Sequence, residues 1–348
     1  MTSMNKVLTA LALVAATTAL RLGAFAIAGA TAGIPNAITT AALKWDADQY
    51  LTIARDGYLA NPETSVAFFP GLSMAMRLLS AITHLPLEAS GLIIVTIATV
   101  ALALAVMRLA ELMGITTPSG RIVATLVVLL APMSGTFTMV YTEAPFMALS
   151  LWAIVAMMQQ RWRQATLLVA LAGLVRLTGI DLVATFAIVL LLASKRHLPL
   201  AAIAALPTAS YLAWASWVTR DAGGYFGIQE KGWGSGFDGG ISTTNWIIHS
   251  LHEPIRLGYI LSSASMIIAI IALVVAYPRL PLAPWLFSLF IGLNVLLSGG
   301  IMHSRPRLLL PMVLLALPFI RTWPAVILWS LGGLAISAYM IVVFPWAI

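Results

Sequence analysis

Asp46 and Asp48 stand two positions apart in Lys44-Trp-Asp-Ala-Asp-Gln-Tyr-Leu-Thr-Ile-Ala-Arg-Asp-Gly-Tyr58, in a chain with only 12 acidic residues among 348. A carboxylate so placed can take the proton of an attacking hydroxyl while a new bond forms. Side chains two apart on a helix point in nearly opposite directions, so the pair supplies one site-facing carboxylate at most. Three further places set ionisable groups between apolar runs: Thr142-Glu143, the turn at Arg176, and His303-Ser-Arg-Pro-Arg307. Ionisable groups at such depth usually carry function. Guanidinium forks such as those of Arg305 and Arg307 match the oxygens of a phosphate, and Pro306 between them fixes the turn. Proton abstraction and anion binding are the chemistry these residues can do.

Each also has a plainer reading. Asp46 can cap a helix at the membrane surface, and Asp48 fits a solvated face. Glu143 can cap its helix, and Arg176 can pair with Asp181, five residues on. His303, Arg305 and Arg307 can anchor to lipid headgroups. Trp162, Trp323 and Trp346 at span ends read as interface belts.

The elements that must position these groups follow from periodicity. Ala47, Tyr50, Leu51, Ala54 and Tyr58 fall on one stripe of a helix, with Gly57 as its stop. So short a helix, polar on its other face, is expected to lie at the membrane surface. A second helix, from Phe68-Phe-Pro-Gly-Leu-Ser onward, is expected on or dipping into the same leaflet. The Gly- and Trp-rich stretch Gly223 to Trp246 either orders over a substrate or is a plain loop.

The solvent for the rest is the bilayer: 61% of residues are hydrophobic and 9% charged, against about a quarter charged in soluble domains. Spans are expected near 7–32, 90–112, 121–135, 138–158, 165–178, 180–193, 199–218, 256–277, 283–300, 307–320 and 324–346, some of them short enough to be broken helices. Lys6, the Arg108–Arg121 connection, Arg161 with Arg163, Lys195 with Arg196, Arg279 and Arg321 fall on one side if the amino terminus is cytoplasmic. The other side receives two long loops, 33–89 and 219–255. The expectation is an all-α polytopic protein, one membrane domain over 1–348, in the cell membrane with its site extracytoplasmic.

The net charge of +7 is scattered between apolar runs, which fits orientation signals and not a nucleic-acid surface. With no cysteine, thiolate metal sites and cysteine nucleophiles are excluded. No glycine-rich phosphate loop sits on a strand–helix unit, so no nucleotide-sugar domain of that kind is read. No metal or cofactor site is read either.

Trp45-Asp46-Ala47, Ile53-Ala54-Arg55-Asp56-Gly57-Tyr58 and Ala67-Phe68-Phe69-Pro70-Gly71, in that order and spacing, resemble the first luminal loop of the PIG-V family, that is, GPI mannosyltransferase 2 and its prokaryotic relatives. Tyr141-Thr142-Glu143 is similar to the family's Tyr-Ser-Glu turn, with Thr for Ser. Arg176 stands where the family has an arginine, here in Val-Arg-Leu-Thr-Gly, and His303-Ser-Arg-Pro-Arg307 is the match in the second half. The resemblance implies a GT-C bundle of about 10–11 transmembrane helices, with a catalytic carboxylate in a large first outer loop that bears surface helices. It implies inverting transfer of a sugar, usually mannose, from a polyprenyl-phosphate donor to a glycolipid or glycan acceptor.

Such a transfer needs one carboxylate as base and cations for the departing lipid phosphate. Asp46 is the expected base, with Asp48 its rival. Trp45, Arg55, Tyr58, Phe69, Glu143, Arg176, His303, Arg305 and Arg307 are the expected substrate contacts. A transporter or lipid flippase is the alternative class, although the paired halves common in secondary transporters are not evident.

Overall fold

The computed structural model describes residues 3–252 and 256–346, among which the secondary structure is helical apart from one isolated antiparallel bridge, Phe237 to Ser298. The chain opens with α1 (Ser3–Ala32). Four short helices follow: α2 (Ala37–Ala42), α3 (Asp46–Asp56), α4 (Pro62–Ser65) and α5 (Pro70–Thr83). Then come α6 (Leu87–Leu112), α7 (Pro118–Leu129), α8 (Glu143–Met158), α9 (Trp162–Gly173), α10 (Gly179–Ala193) and α11 (Pro199–Val218). The last third holds α12 (Gly224–Trp233), α13 (Ile241–His252), α14 (Leu257–Ala276), α15 (Leu282–Leu296), α16 (Arg305–Leu308) and α17 (Trp323–Ala338). Proline stands in the first turn of α4, α5, α7, α11, α16 and α17. Its missing N–H costs nothing there and its fixed φ suits the helix start.

Five helices are long and apolar enough to cross a bilayer: Met4–Ala32, Leu87–Leu112, Lys195–Val218, Leu257–Arg279 and Trp323–Val343. They coincide with five of the expected spans, and the protein is an all-α polytopic membrane protein. The other expected spans are shorter or different in kind. The apolar helices Pro118–Leu129, Glu143–Met158, Gly179–Ala193 and Leu282–Leu296 have 12 to 16 residues, and the longest is about 24 Å at 1.5 Å per residue.

Three expected spans need correction. Residues 130–141, expected to hold the end of the span 121–135 and the start of the span 138–158, are mostly buried irregular chain with a 3₁₀ segment at Ser134–Thr138. Residues 307–320, expected as a span, form the end of α16 and a buried 3₁₀ segment, Leu310–Ala316, with Pro306 and Pro311 interrupting the helical ladder. Non-helical backbone at such depth is tolerated because protein surrounds it.

Side chains satisfy the backbone ends this leaves. Arg21, fully buried in α1, donates to the Leu129 carbonyl at the end of α7 (2.7 Å) and to Thr18 Oγ1 (2.9 Å). Trp329 Nε1 donates to the Val127 carbonyl (2.9 Å), and Trp152 Nε1 to the Ala101 carbonyl (3.0 Å), tying α17 to α7 and α8 to α6. At the amino-terminal end of α1, Lys6, Arg108 and Arg121 converge on Glu111 at 2.7–2.9 Å. Three of the charges grouped by the positive-inside pattern, Lys6, Arg108 and Arg121, therefore meet in space. The other end of α1 leads into α2–α5.

α3 forms where the apolar stripe predicts a helix. Ala47, Tyr50, Leu51 and Ala54 are buried as the stripe requires, joined by Ile53, while Tyr58 follows in a 3₁₀ turn and is half-buried. α5 packs across it, Ser73 Oγ donating to the Tyr50 carbonyl (3.0 Å). Gly71 explains the Pro-Gly pair at the start of α5. Its N–H donates to the Leu174 carbonyl (2.8 Å), and a Cβ there would lie 2.9 Å from that same oxygen. Only glycine lets α5 sit directly against the turn that carries Arg176.

Candidate active site

Trp45, immediately before α3, has φ 56° and ψ −116°, backbone that a bulky residue adopts only when its surroundings impose it. Lys44 Nζ lies 4.1 Å from the centre of its ring. The next N–H, that of Asp46, donates to the Tyr141 hydroxyl (3.3 Å), so the start of α3 is pinned to the chain leading into α8. This strained entry sets the direction of the Asp46 side chain.

That side chain forms an ion pair with Arg307 of α16. The Arg307 guanidinium lies 5.1 Å from the centre of the Tyr141 ring, and its Nε is 3.7 Å from Glu143 Oε1. Glu143, 2% exposed at the start of α8, is in turn ion-paired with Arg176. Arg176 Nη1 also donates to Thr142 Oγ1 (3.3 Å), whose hydroxyl is 3.3 Å from that of Tyr50. Burial, with Asp46 nearby, raises the Tyr50 phenol above its usual range, so it stays protonated. Asp46, Arg307, Glu143 and Arg176 thus alternate in sign along one chain of contacts, drawn from four separate segments. Glu143 is the hub, and one of its oxygens, Oε2, is buried without a partner.

The chain of charges forms part of the wall of a cavity of about 660 Å³. Asp46, Arg176 and Arg307 face it, with Tyr50 and Thr142 beside them. Phe69 faces it from an aromatic cluster with Tyr211 (4.5 Å between ring centres) and Tyr225 (6.1 Å). Its far wall is the second long loop, ordered as α12 and α13: Tyr225, Phe226, Gln229 and Trp233 of α12 and residues 235–237 line it. This loop is fastened to the end of α15. Asp238 N–H donates to the Leu297 carbonyl (3.1 Å) and Gly299 N–H to the Gly236 carbonyl (2.6 Å). Asp238 caps the loop's own helix by accepting from the Gly240 and Ser242 N–H groups (both 2.9 Å), and the Ser242 bond holds its carboxyl below the ordinary range. Asp181 and Asn294 face the cavity from α10 and α15.

The remaining expected contacts stand elsewhere. Asp48 is exposed on the opposite side of α3, as two-residue spacing requires, and Arg55 is exposed 3.8 Å from Glu88. Tyr58 donates its hydroxyl to the Phe68 carbonyl (2.8 Å), bracing the chain before α5. Trp45 is half-buried outside the cavity lining. His303 lies among Tyr259, Trp246 and Phe344, with ring centres 5.6–6.4 Å away, and does not line the cavity. Arg305 touches the cavity, but its guanidinium is committed to the carbonyls of Val295 (2.5 Å), Ser298 (2.6 Å) and Gly299 (2.8 Å). It closes the end of α15. The plainer reading of Arg176, a pair with Asp181, does not form, since Arg176 holds Glu143 and Asp181 accepts from Asn294.

Tyr50, Thr142, Asp181, Asn294 and the α12 aromatics are the lining residues that sequence reasoning left out. Tyr50 read as part of an apolar stripe, and the aromatic content of the second loop was the one signal for α12. Among the described residues no group of three or more His, Asp or Glu comes together as a metal site would require.

A charge-balanced set of two carboxylates and two guanidiniums at the wall of a largely apolar cavity is a setting for proton transfer beside an anion. No curated protein matches the chain at a useful level of similarity. The family model described as Mannosyltransferase (PIG-V) matches residues 1–198, the segment that carries α3, Gly71, Glu143 and Arg176, and more than half of the sequence. The chain belongs to that mannosyltransferase family and is a glycosyltransferase of the membrane.

Proposed function

We propose that the protein transfers a mannosyl group from a polyprenyl-phosphate donor to a glycolipid or glycan acceptor at the extracytoplasmic face, with inversion and with Asp46 as general base. The observation that carries this reading is the convergence of Asp46, Arg307 and Arg176 on one cavity, at the end of α1 away from the basic cluster around Glu111. Basic clusters of that kind mark the cytoplasmic side. The wall formed by Phe290, Leu293, Leu297 and Phe226 suits an isoprenoid chain, and Leu293 and Phe226 are also exposed on the protein surface. A lipid donor can therefore approach laterally.

In this proposal the acceptor oxygen attacks the anomeric carbon as the bond from that carbon to the phosphate oxygen breaks. The acceptor's proton passes to Asp46, and the electron pair of the broken bond leaves on polyprenyl phosphate. Arg307 and Arg176 stabilise that phosphate through charge-assisted hydrogen bonds. Arg307 pairs with Asp46. When the donor phosphate draws Arg307 away, the carboxylate is released to the acceptor hydroxyl. Glu143 stays behind both arginines and keeps their forks aimed. Residues 301–308 thus act through Arg307, while Arg305 keeps the end of α15 in place.

The test is incubation of the purified protein with radiolabelled polyprenyl-phosphate mannose and membrane glycolipid, followed by the anomeric configuration of the product. Labelled glycolipid of inverted configuration is expected. Movement of the labelled lipid across a vesicle with no product would support the transporter class instead.

A further inference from the structure

Asp181 takes no part in the mechanism above, yet it is a carboxylate 6% exposed in the first turn of α10, facing the same cavity. Among the described residues no cation lies within ion-pair distance of it. Both of its oxygens accept from one amide nitrogen, Asn294 Nδ2 (3.2 and 3.0 Å). Asn294 belongs to α15, 113 residues away, and also lines the cavity. One turn before Asp181, Thr178 Oγ1 is buried without a hydrogen-bond partner and lines the cavity too.

A simple bridge between two helices accounts for one Asn–Asp contact. It does not account for a buried carboxyl group where an amide would bridge as well, because acceptor oxygens left short of donors are costly to bury. The two oxygens of the carboxyl group hold several acceptor positions, and a single NH₂ group fills only part of them. The rest, with the Asn294 carbonyl oxygen and the idle Thr178 hydroxyl, form a small polar patch in a largely apolar wall. Acceptors in excess of donors call for a neutral ligand that brings O–H groups. A cation would find an incomplete shell here, and an anion would be repelled.

We infer that Asp181, Asn294 and Thr178 form the subsite that binds the hydroxyl groups of a pyranose ring, and that Asp181 sets which sugar the enzyme accepts. This rests on the reading of the cavity as a sugar-transfer site, and it adds a specificity-determining carboxylate separate from the base and from the phosphate contacts. A hydroxyl donated to a buried carboxylate discriminates strongly against the analogue that lacks it, because the carboxylate is then left unpaired.

The experiment uses full-length protein in lipid nanodiscs, with octyl α-mannopyranoside and its 2-, 3-, 4- and 6-deoxy forms as probes. Binding is followed by saturation-transfer NMR, and turnover of polyprenyl-phosphate mannose is measured on the same samples. In the wild type at least one deoxy form should bind about tenfold or more weakly than the parent. In Asp181→Asn that gap should shrink to under about threefold. The paired exchange Asp181→Asn with Asn294→Asp keeps the interhelical bridge and should change which deoxy form is penalised. It also serves if the single variant folds poorly. The inference is overturned if the mannoside does not bind, if all deoxy forms bind like the parent, or if the gap survives in both variants. Loss of turnover in the wild type, with the Asp181-dependent gap intact, would count against the polyprenyl-phosphate reading alone.

Discussion

Glu143→Gln is the substitution that most directly probes the charge chain. Gln keeps the volume and removes only the negative charge that stands between Arg176 and Arg307. At an effective dielectric of 20, opposite charges about 4 Å apart attract by roughly 4 kcal/mol, and Glu143 is almost fully buried, so screening by water is weak. Removing one partner of a buried pair typically costs about 3–5 kcal/mol. With an unfolding entropy of roughly 2.1 cal/mol/K per residue, a chain of 348 residues loses about 1.4 °C of Tm per kcal/mol. The expected fall is therefore about 4–7 °C. The assay is thermal unfolding in detergent with and without polyprenyl phosphate. The anion should restore more of the lost Tm in Glu143→Gln than it adds to the wild type, because it supplies the charge both guanidiniums lack. The double variant Glu143→Gln with Arg176→Gln should lose less than the two singles together, as residues in one network do. A Tm within about 1 °C of wild type in the single variant, with no greater response to the lipid phosphate, would mean that the Glu143 charge does not hold the two arginines.

Arg307→Lys should lower kcat/KM for the donor by about ten- to a hundredfold, since Lys has the charge without the fork. Arg305→Lys should chiefly lower Tm, because Arg305 serves three backbone carbonyls. Equal kinetic losses in both would return Arg305 to the phosphate. Gly71→Ala drives a Cβ to 2.9 Å from the Leu174 carbonyl oxygen and should cost about 1–3 kcal/mol of stability by overpacking. Because Arg176 is only two residues beyond Leu174, KM for the donor should rise as well, and steady-state kinetics would show it. Cysteines placed at the exposed positions Glu63 and Asp221 should react with an impermeant maleimide on intact cells, and one at Gln164 only after permeabilisation. The reverse pattern would invert the orientation.

Helix α3 was legible because its burial is local: a stripe at helical spacing and a glycine stop are both written within twelve positions. The resemblance blocks likewise led to Asp46, Glu143 and Arg176, which the fold links into one chain of contacts through Arg307. Hydropathy failed at 130–141 and 307–320 for a physical reason. A run of apolar residues reads alike whether it is helix in lipid or irregular chain wrapped in protein, and only packing distinguishes them. Arg305 and Arg307 are indistinguishable in sequence, two positions apart in one turn. Their different work depends on whether backbone carbonyls or carboxylates lie opposite, and that is set by α15 and α3. Asp181 was matched with the nearest arginine in sequence, while its partner, Asn294, sits 113 residues away. Long-range pairing of this kind leaves no local pattern.

The proposed role of Asp46, taking the acceptor's proton during mannosyl transfer from a lipid phosphate, can be read from single-turnover transfer from radiolabelled polyprenyl-phosphate mannose by wild type, Asp46→Asn and Asp48→Asn, with donor affinity measured alongside. Loss of a general base should slow transfer about 10²–10⁴-fold in Asp46→Asn. Donor binding should hold or tighten, since Arg307 is then free for the phosphate, and Asp48→Asn should stay close to wild type. An Asp46→Asn protein that keeps more than about a tenth of the rate, equivalent to under roughly 1.4 kcal/mol of barrier, would contradict the account.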